Sequence, residues 1–185
     1  DYNIVWIPGS QLWNYQLPPF RAAIAAGTFS VMTSLSAMNG IAATGDRALV
    51  TGILKQRFGF RGFVVSDFDS VRELINHGMA ADRAEAARKA FLAGVDMDLA
   101  GYVYDKHLAD EVRAGRVPEA RVDEAVRRVL RVKLSLGLFE RPDIDPRRVD
   151  AIFPTPESRR ASLEVARESI VLLQNKGDLL PLGAG

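Results

Sequence analysis

Positions 58–70 of the chain have the sequence FGFRGFVVSDFDS. Glycines among aromatic residues predict a tight turn, and the apolar run that follows predicts a buried strand over residues 62–67. This strand ends on an acid, Asp67. Comparable apolar runs occupy residues 28–34 and 94–99, so strand-like segments recur about every 32 residues. The sequence therefore predicts three similar strands, and the second of them ends in an acid.

Helical patterns separate these strands. Residues 45–57 and 80–93 place apolar side chains at helical spacing. Alternating strands and helices, with strands that lack polar alternation, predict an α/β fold in which helices cover a parallel sheet. Units of this length fit the C-terminal part of a (β/α)8 TIM-type barrel, which needs about 250 residues in all. An open doubly wound sheet would give the same local pattern, so periodicity leaves both architectures open.

The second half of the sequence is helical and then rich in proline. Residues 102–114 and 118–136 have helical patterns, and Gly137 is placed to end the second helix. Prolines over residues 140–156 indicate an extended connection, after which Thr155 can cap another helix. We therefore predict a first domain over residues 1–139, a linker over 140–168 and the start of a second domain over 169–185.

The composition argues against several classes of function. The chain is 48% hydrophobic and 25% charged, with a formal charge of +1 and no cysteine. A near-neutral chain lacks the basic surface of a nucleic-acid-binding protein, and a chain without cysteine has no disulfide or thiol chemistry. No apolar run reaches the ~18 residues of a membrane-spanning helix. His77 and His107 have no partners at metal-ligand spacing and no nucleotide-binding glycine motif is present, so we expect no metal and no cofactor.

Asp67 supports two interpretations. Catalytic groups of parallel α/β barrels lie at the C-terminal ends of strands, which is where this acid stands. An acid between a strand and a helix also commonly caps that helix. Ser70 and Glu73 have the spacing of a capping box for a helix that begins near Val71, and Asp69 is closer to that helix than Asp67. The local sequence leaves both interpretations open.

Other charged residues are weaker candidates. Asp96 and Asp98 end the third apolar run and could approach the same edge of the sheet. Capping, or a salt bridge to Arg113 or Lys106, explains them at least as well. The arginine pairs at 127–128 and 147–148 are predicted to be solvated surface.

Eight short motifs follow one another along the chain. They are DYN at 1–3, LPPF at 17–20, MNG at 38–40, GFRGFVVSD at 59–67, HG at 77–78, AGVDM at 93–97, LGLF at 136–139 and ARESIVLL at 166–173. In this order and spacing they resemble family 3 glycoside hydrolases, the β-glucosidase and β-xylosidase family, and within it the bacterial periplasmic β-glucosidase branch. The resemblance covers the whole chain.

The resemblance implies roles for individual residues. In that family the Asp of a Ser-Asp-aromatic motif is the catalytic nucleophile, which implies this role for Asp67. The aromatic residue lines the site of the terminal sugar, which implies that role for Phe68, with burial in the core as the alternative. Leu35 stands where many members have Tyr beside the nucleophile, and Ser36 where the resembled branch usually has Asn. Asp1, in the first motif, is also expected at the substrate.

The resemblance further implies a barrel rather than an open sheet, followed by an α/β sandwich domain. It implies a retaining glycosidase that releases terminal β-glucosyl residues from oligosaccharides or glycosides, in the periplasm or outside the cell. In the resembled branch the acid/base is a Glu of the following domain, and this sequence ends before it, so we expect an inactive fragment. A β-xylosidase, a β-N-acetylglucosaminidase and a carbohydrate-binding barrel without turnover are the alternatives.

Overall fold

The computed structural model describes residues 3–152 and 154–183. Two compact units divide the chain, one over residues 1–140 and one over residues 141–185. Asp1 lies outside the described residues. No helix of the described residues is long and apolar enough to cross a membrane.

The strands of the first unit are short and mostly parallel. They are β1 (Ile4–Val5), β2 (Ser30–Met32), β3 (Ala37–Met38), β4 (Ile41–Ala42) and β5 (Phe63–Val65). β2 pairs with β5 in parallel, with Val31 opposite Val64, and β1 pairs with β3 in parallel while β4 folds back on β3. Parallel strands joined through helices confirm the predicted α/β class.

The third predicted strand, over residues 94–99, is shorter than expected. Only Met97 pairs with Val65, as one parallel bridge. The reason is Asp96, whose carboxylate accepts the N–H of Val64 at 2.8 Å and so takes the place of a backbone carbonyl. The prediction of a full strand is wrong, although the segment does run beside β5 in the parallel direction.

The sequence predicts the helices at 48–57, 83–93, 103–113, 119–135 and 156–169, with ends shifted by a few residues, but not those at 9–11, 17–25 and 149–152. The helices are α1 (Gly9–Gln11), α2 (Leu17–Ala25), the π helix (Ala48–Arg57), α3 (Arg83–Ala93), α4 (Val103–Arg113), α5 (Glu119–Ser135), α6 (Val149–Ile152) and α7 (Pro156–Ser169). α3 begins after Asp82, whose carboxylate accepts the N–H of Glu85 at 2.9 Å, an ordinary N-cap.

The core lies between the strands and the helices. Val64 of β5 and Val95 beside it are fully buried, together with the alanines on the inner face of α3. Burying one Val or Leu side chain contributes about 1.5–3 kcal/mol, and small alanines let α3 approach closely. This packing fixes the position at which β5 ends, and therefore the position of the loop that carries Asp67.

Two positions, 62 and 94, must be glycine because neighbouring atoms lie too close for a side chain. A Cβ on Gly62, just before β5, would collide with the carbonyl of Phe29. Gly94 ends α3 with a φ of 118°, and a Cβ there would lie 2.6 Å from the hydroxyl of Thr51. The backbone at both sites can come this close only without a side chain.

α5 is anchored to the turn that precedes β5. Arg128 donates from Nη1 to the carbonyls of Phe60 and Gly62 at 3.0 and 2.9 Å. Its predicted role as solvated surface is therefore wrong, whereas Arg127 and Arg147 are exposed as predicted. α5 ends as predicted at Gly137, with a φ of 67° and hydrogen bonds that bridge the last turn.

The second unit contains α6 and α7. Thr155 caps α7 as predicted, since its hydroxyl accepts the N–H of Ser158 at 3.1 Å. Further along, the side chain of Asn175 exchanges two hydrogen bonds with the backbone of Leu180. Residues 170–173 are exposed and have no regular structure. The domain boundaries proposed from the sequence remain predictions.

Candidate active site

Three loops leave the same edge of the strands. They follow β2 (residues 33–36), β5 (residues 66–70) and the segment paired with β5 (residues 98–102). Because these strands run parallel, their carboxyl ends meet at one edge, which we call the carboxyl edge. This edge is where α/β proteins assemble their sites.

Backbone hydrogen bonds hold these loops together. The N–H of Thr33 donates to Val65 at 3.0 Å, and the N–H of Ser66 donates to Met97 at 2.9 Å. The loop after β5 is also tied to the third loop, because the hydroxyl of Ser66 accepts the N–H of Leu99 at 2.8 Å. The residues that flank Asp67 are therefore fixed from both sides.

Asp67 lies at the carboxyl edge with its side chain partly exposed. Its Oδ1 accepts the N–H of Phe68 at 2.7 Å, and among the described residues it forms no ion pair. It caps no helix: the next helical turn, Arg72–Leu74, has no side-chain cap. The carboxylate is thus accessible, and no cation of the described residues neutralises it.

The predicted capping box does not form. The hydroxyl of Ser70 bonds to Thr44 at 2.9 Å instead of to a helix N–H. Glu73 accepts from Asn76 at 2.7 Å and from Arg72 at 3.0 Å. The capping-box prediction is wrong because the chain makes only a short 3-10 turn here, with no free helix end for Ser70 to cap.

The other predicted substrate residues lie near Asp67 along the chain or on the adjacent loop. Phe68 is 66% exposed, so the alternative that it belongs to the core is wrong. Leu35 and Ser36 are half-buried in the loop after β2, and the carbonyl of Leu35 lies 3.0 Å from Nε2 of His77. Asp1 is outside the described residues.

Asp96 and Asp98 are occupied by structural roles. Asp96 is buried and bonds to Lys55 and Arg121, each at 2.8 Å. Burial lowers the pKa of Lys55 to about 8, an effect that the carboxylate of Asp96 partly opposes. Asp98 caps α4 by accepting the N–H of Val103 at 2.7 Å. Capping and ion pairing were predicted, but the partners Arg113 and Lys106 were wrong: Arg113 instead pairs with Asp110.

A largely apolar cavity near the strands lies away from Asp67. It has a volume of about 360 Å³ and lies among α2, the π helix and the ends of β2 and β3. Its lining is mainly aliphatic and includes Ser36 but neither Asp67 nor Phe68. A sugar needs hydrogen-bonding groups around its hydroxyls, so this cavity does not match a sugar site. Among the described residues, no three His, Asp or Glu side chains are grouped closely enough to hold a metal ion.

One cluster at this edge could not be predicted from the sequence. The hydroxyls of Thr33, Thr44 and Ser70 form a buried series of hydrogen bonds beneath the loop of Asp67. Thr44 belongs to no periodic pattern, and Ser70 was assigned as a helix cap. Only the three-dimensional structure brings them together.

Fold and site together define a class: an α/β protein with an accessible carboxylate and an exposed aromatic side chain at the carboxyl edge of parallel strands. Residues 1–132 match the family model described as "Glycosyl hydrolase family 3 N terminal domain". The chain therefore belongs to glycosyl hydrolase family 3, as its motifs indicated.

Individual relatives agree with this assignment. The chain is 42% identical to a periplasmic β-glucosidase of Salmonella typhimurium, over 98% of its own length and 24% of that protein. It is 38% identical to a putative β-xylosidase of Formosa agariphila, over 89% of its length and 22% of that protein. The crystal structure of a β-glucosidase from Listeria innocua superposes with a TM-score of 0.83 at 40% identity, covering 99% of this chain and 26% of that one. The chain thus spans about a quarter of the relatives that it matches.

Proposed function

We propose that this chain contributes the nucleophile of a retaining β-glycosidase that releases terminal, non-reducing β-glucosyl residues from oligosaccharides or glycosides. The observation that carries the proposal is Asp67, an accessible carboxylate without a cationic partner among the described residues, at the carboxyl edge of parallel strands. Family membership and the names of the relatives support the reaction class. The architecture that we propose is the C-terminal part of a (β/α)8 barrel, with Asp67 at its mouth.

The chemistry follows from the residue type. In the first step a carboxylate oxygen of Asp67 attacks the anomeric carbon and the glycosidic C–O bond breaks, while a second carboxyl group about 5 Å away protonates the leaving oxygen. In the second step the same group takes a proton from water, which attacks the anomeric carbon and releases the sugar and Asp67. We place the second carboxyl group outside these 185 residues, which by themselves supply one half of the catalytic pair.

Other residues at this edge would shape the sugar site. The exposed ring of Phe68 offers an apolar face to a pyranose ring, next to the proposed nucleophile. Leu35 and Ser36 would line the side formed by the loop after β2, and Asp1 is proposed as a further substrate contact. The name of the Salmonella relative supports a periplasmic or secreted location.

A β-xylosidase is the second candidate. Two relatives from Formosa agariphila are named a putative β-xylosidase and a β-xylosidase, at 38% and 37% identity. Xylose lacks the hydroxymethyl group of glucose, so the two candidates differ in the space available at that position of the sugar.

The test uses the full encoded polypeptide, incubated with an activated 2-deoxy-2-fluoro-β-glucoside that slows breakdown of a glycosyl-enzyme. Intact mass and peptide mapping would then locate the adduct. We expect one adduct on the peptide that holds Asp67, and none in Asp67→Asn. Labelling by the xylosyl analogue alone would select the β-xylosidase. Failure of the 2-fluoro glucosyl and xylosyl analogues and of a 5-fluoro N-acetylglucosaminyl analogue with folded protein would contradict the enzymatic proposal in favour of binding alone.

A further inference from the structure

Three hydroxyl side chains form a buried cluster beneath the carboxyl edge, which we call the hydroxyl cluster: Thr33, Thr44 and Ser70. The Oγ1 atoms of Thr33 and Thr44 lie 2.8 Å apart, and Thr44 Oγ1 lies 2.9 Å from Ser70 Oγ. All three residues are buried, and Thr44, the middle one, is 1% exposed. Thr44 thus joins two loops that are distant in sequence.

Two residues of the hydroxyl cluster, Thr33 and Ser70, also form backbone hydrogen bonds at the loop that carries Asp67. At the entry of this loop, the N–H of Thr33 donates to Val65, the last residue of β5, at 3.0 Å. At its exit, the N–H of Ser70 donates to the carbonyl of Asp67 at 3.1 Å. Through their backbone N–H groups, Thr33 and Ser70 of the hydroxyl cluster therefore hold the residue before the loop 66–70 and Asp67 within it.

The carbonyl of Asp67 is held by two donors. Besides Ser70, the hydroxyl of Ser66 donates to it at 2.9 Å. Ser66 is fully buried and bound to the third loop through Leu99, so it is itself immobile. Two groups thus hold the carbonyl of Asp67. One of them is the N–H of Ser70, a residue whose side chain bonds to Thr44.

From these contacts we propose that Thr44 is a positioning residue, which sets the orientation of Asp67 by holding Ser70. This inference rests on the proposed function, in which Asp67 is the nucleophile. A hydroxyl at position 44 is needed because the hydroxyls of Thr33 and Ser70 face it at a buried position. Valine has the same shape but offers neither donor nor acceptor, so it would leave both neighbours without this bond and release the exit of the loop.

Thr44 could instead serve only the stability of the fold, and a matched control separates the two roles. Thr51 donates its hydroxyl to the carbonyl of Ala93 at 2.7 Å, between the π helix and the end of α3. This bond is remote from the carboxyl edge, because it precedes the strand segment that ends there. Thr51→Val and Thr44→Val therefore remove similar hydrogen bonds at different places.

The experiment compares wild type, Thr44→Val, Thr44→Ser and Thr51→Val of the full encoded polypeptide. Steady-state kinetics with an aryl β-glycoside give kcat and KM, and the rate of labelling by the 2-deoxy-2-fluoro glycoside reports attack by Asp67. For Thr44→Val we expect kcat and labelling rate to fall roughly 10- to 100-fold, with KM changed by about twofold or less, since a small misplacement of a reacting group has this effect. Thr44→Ser retains the hydroxyl and should restore kcat to within about threefold of wild type, and Thr51→Val should keep kcat within about twofold.

Two results would overturn the inference while the proposed function stands: labelling of Asp67 at the wild-type rate in Thr44→Val, or a Thr44→Ser variant as slow as Thr44→Val. A wild type that neither turns over a glycoside nor becomes labelled overturns both proposals. Circular dichroism checks the fold of each variant. If Thr44→Val does not fold, Ser70→Ala tests the same link at the other end of the hydroxyl cluster, with the same expected loss of kcat and the same contradicting result.

Discussion

Asp67 and Asp96 lie on neighbouring parallel segments, yet the surroundings of the two acids are opposite. The side chain of Asp96 is fully buried and bonds to Lys55, to Arg121 and to the N–H of Val64. Asp67 is partly exposed, and its carboxylate accepts the adjacent N–H of Phe68. Among the described residues, Asp96 pairs with two cations and Asp67 pairs with none.

The difference shows how a fold separates structural acids from acids that are available for chemistry. A carboxylate that is saturated with cations is stabilised as an anion and cannot attack a substrate without losing those bonds. A carboxylate with a single backbone donor keeps its lone pairs accessible. The sequence alone offers both residues at strand ends, and only the partners tell them apart.

The strongest test of the comparison removes the charge of Asp67. In the full encoded polypeptide, Asp67→Asn should lower kcat by at least roughly 10³-fold, because an amide does not form the glycosyl-enzyme. The free energy of unfolding should change by less than about 0.5 kcal/mol, since no buried partner is left unpaired. Hydrolysis of an aryl β-glucoside measures the first effect and thermal unfolding the second. The matched control is Asp105→Asn on the exposed side of α4, and wild-type turnover by Asp67→Asn would refute the assignment.

The same substitution at Asp96 should act on stability. Asp96→Asn leaves Lys55 and Arg121 buried without their anion, which is expected to cost about 3–5 kcal/mol. Thermal unfolding and faster hydrogen exchange in the π helix and α5 would report this loss. Asp110→Asn is the control, because its pair with Arg113 is largely exposed and should contribute less than about 1 kcal/mol. A stable Asp96→Asn variant would show that the buried ion pairs do not hold these helices.

A smaller effect is expected at Phe68, on the substrate side of the comparison. Phe68→Ala should raise KM for a β-glucoside by about 3- to 10-fold, since an aromatic contact is worth about 0.5–1.5 kcal/mol. Phe68→Trp keeps an aromatic face and should retain a KM close to wild type. The exposed ring makes little contribution to the core, so melting temperatures should stay unchanged. An unaltered KM in Phe68→Ala would place this side chain outside the sugar site.

A third acid, the buried Glu111, predicts how the stability of the fold depends on pH. Hydrogen bonds from Arg116, with a smaller contribution from Arg88, lower the pKa of this buried carboxyl to about 2 from an ordinary value of 4.5. Because the pKa in the folded state is the lower one, this stabilisation is fully present above about pH 4.5 and is lost as pH falls through about 2. The hydrogen-exchange protection factors of α3 and α4, which Glu111 joins, should therefore fall as pH decreases over this range in wild type, and less steeply in Glu111→Gln. Equal slopes in the two proteins would contradict the prediction.

The sequence predicted the α/β class, five of the helices and the position of Asp67 after a strand, because apolar periodicity, glycine turns and the order of elements depend on local residues. It overestimated the strand at 94–99, since a side chain replacing a backbone hydrogen bond leaves no local signal. It also mistook Ser70 for a helix cap and Arg128 for surface. Their partners, Thr44 and the carbonyl of Phe60, are far away in sequence. Pairings of this kind are set by packing, which no motif encodes.

The central claim, that Asp67 is the nucleophile, is tested most directly by azide rescue of Asp67→Gly in the full encoded polypeptide. Glycine removes the carboxylate and leaves space for azide, and an activated aryl β-glucoside needs no acid for its leaving group. If Asp67 is the nucleophile, the rate rises with azide concentration and the product is an α-glucosyl azide, while Asp69→Gly, which keeps Asp67, releases glucose. Asp67→Gly that hydrolyses the substrate to glucose without any dependence on azide would contradict it.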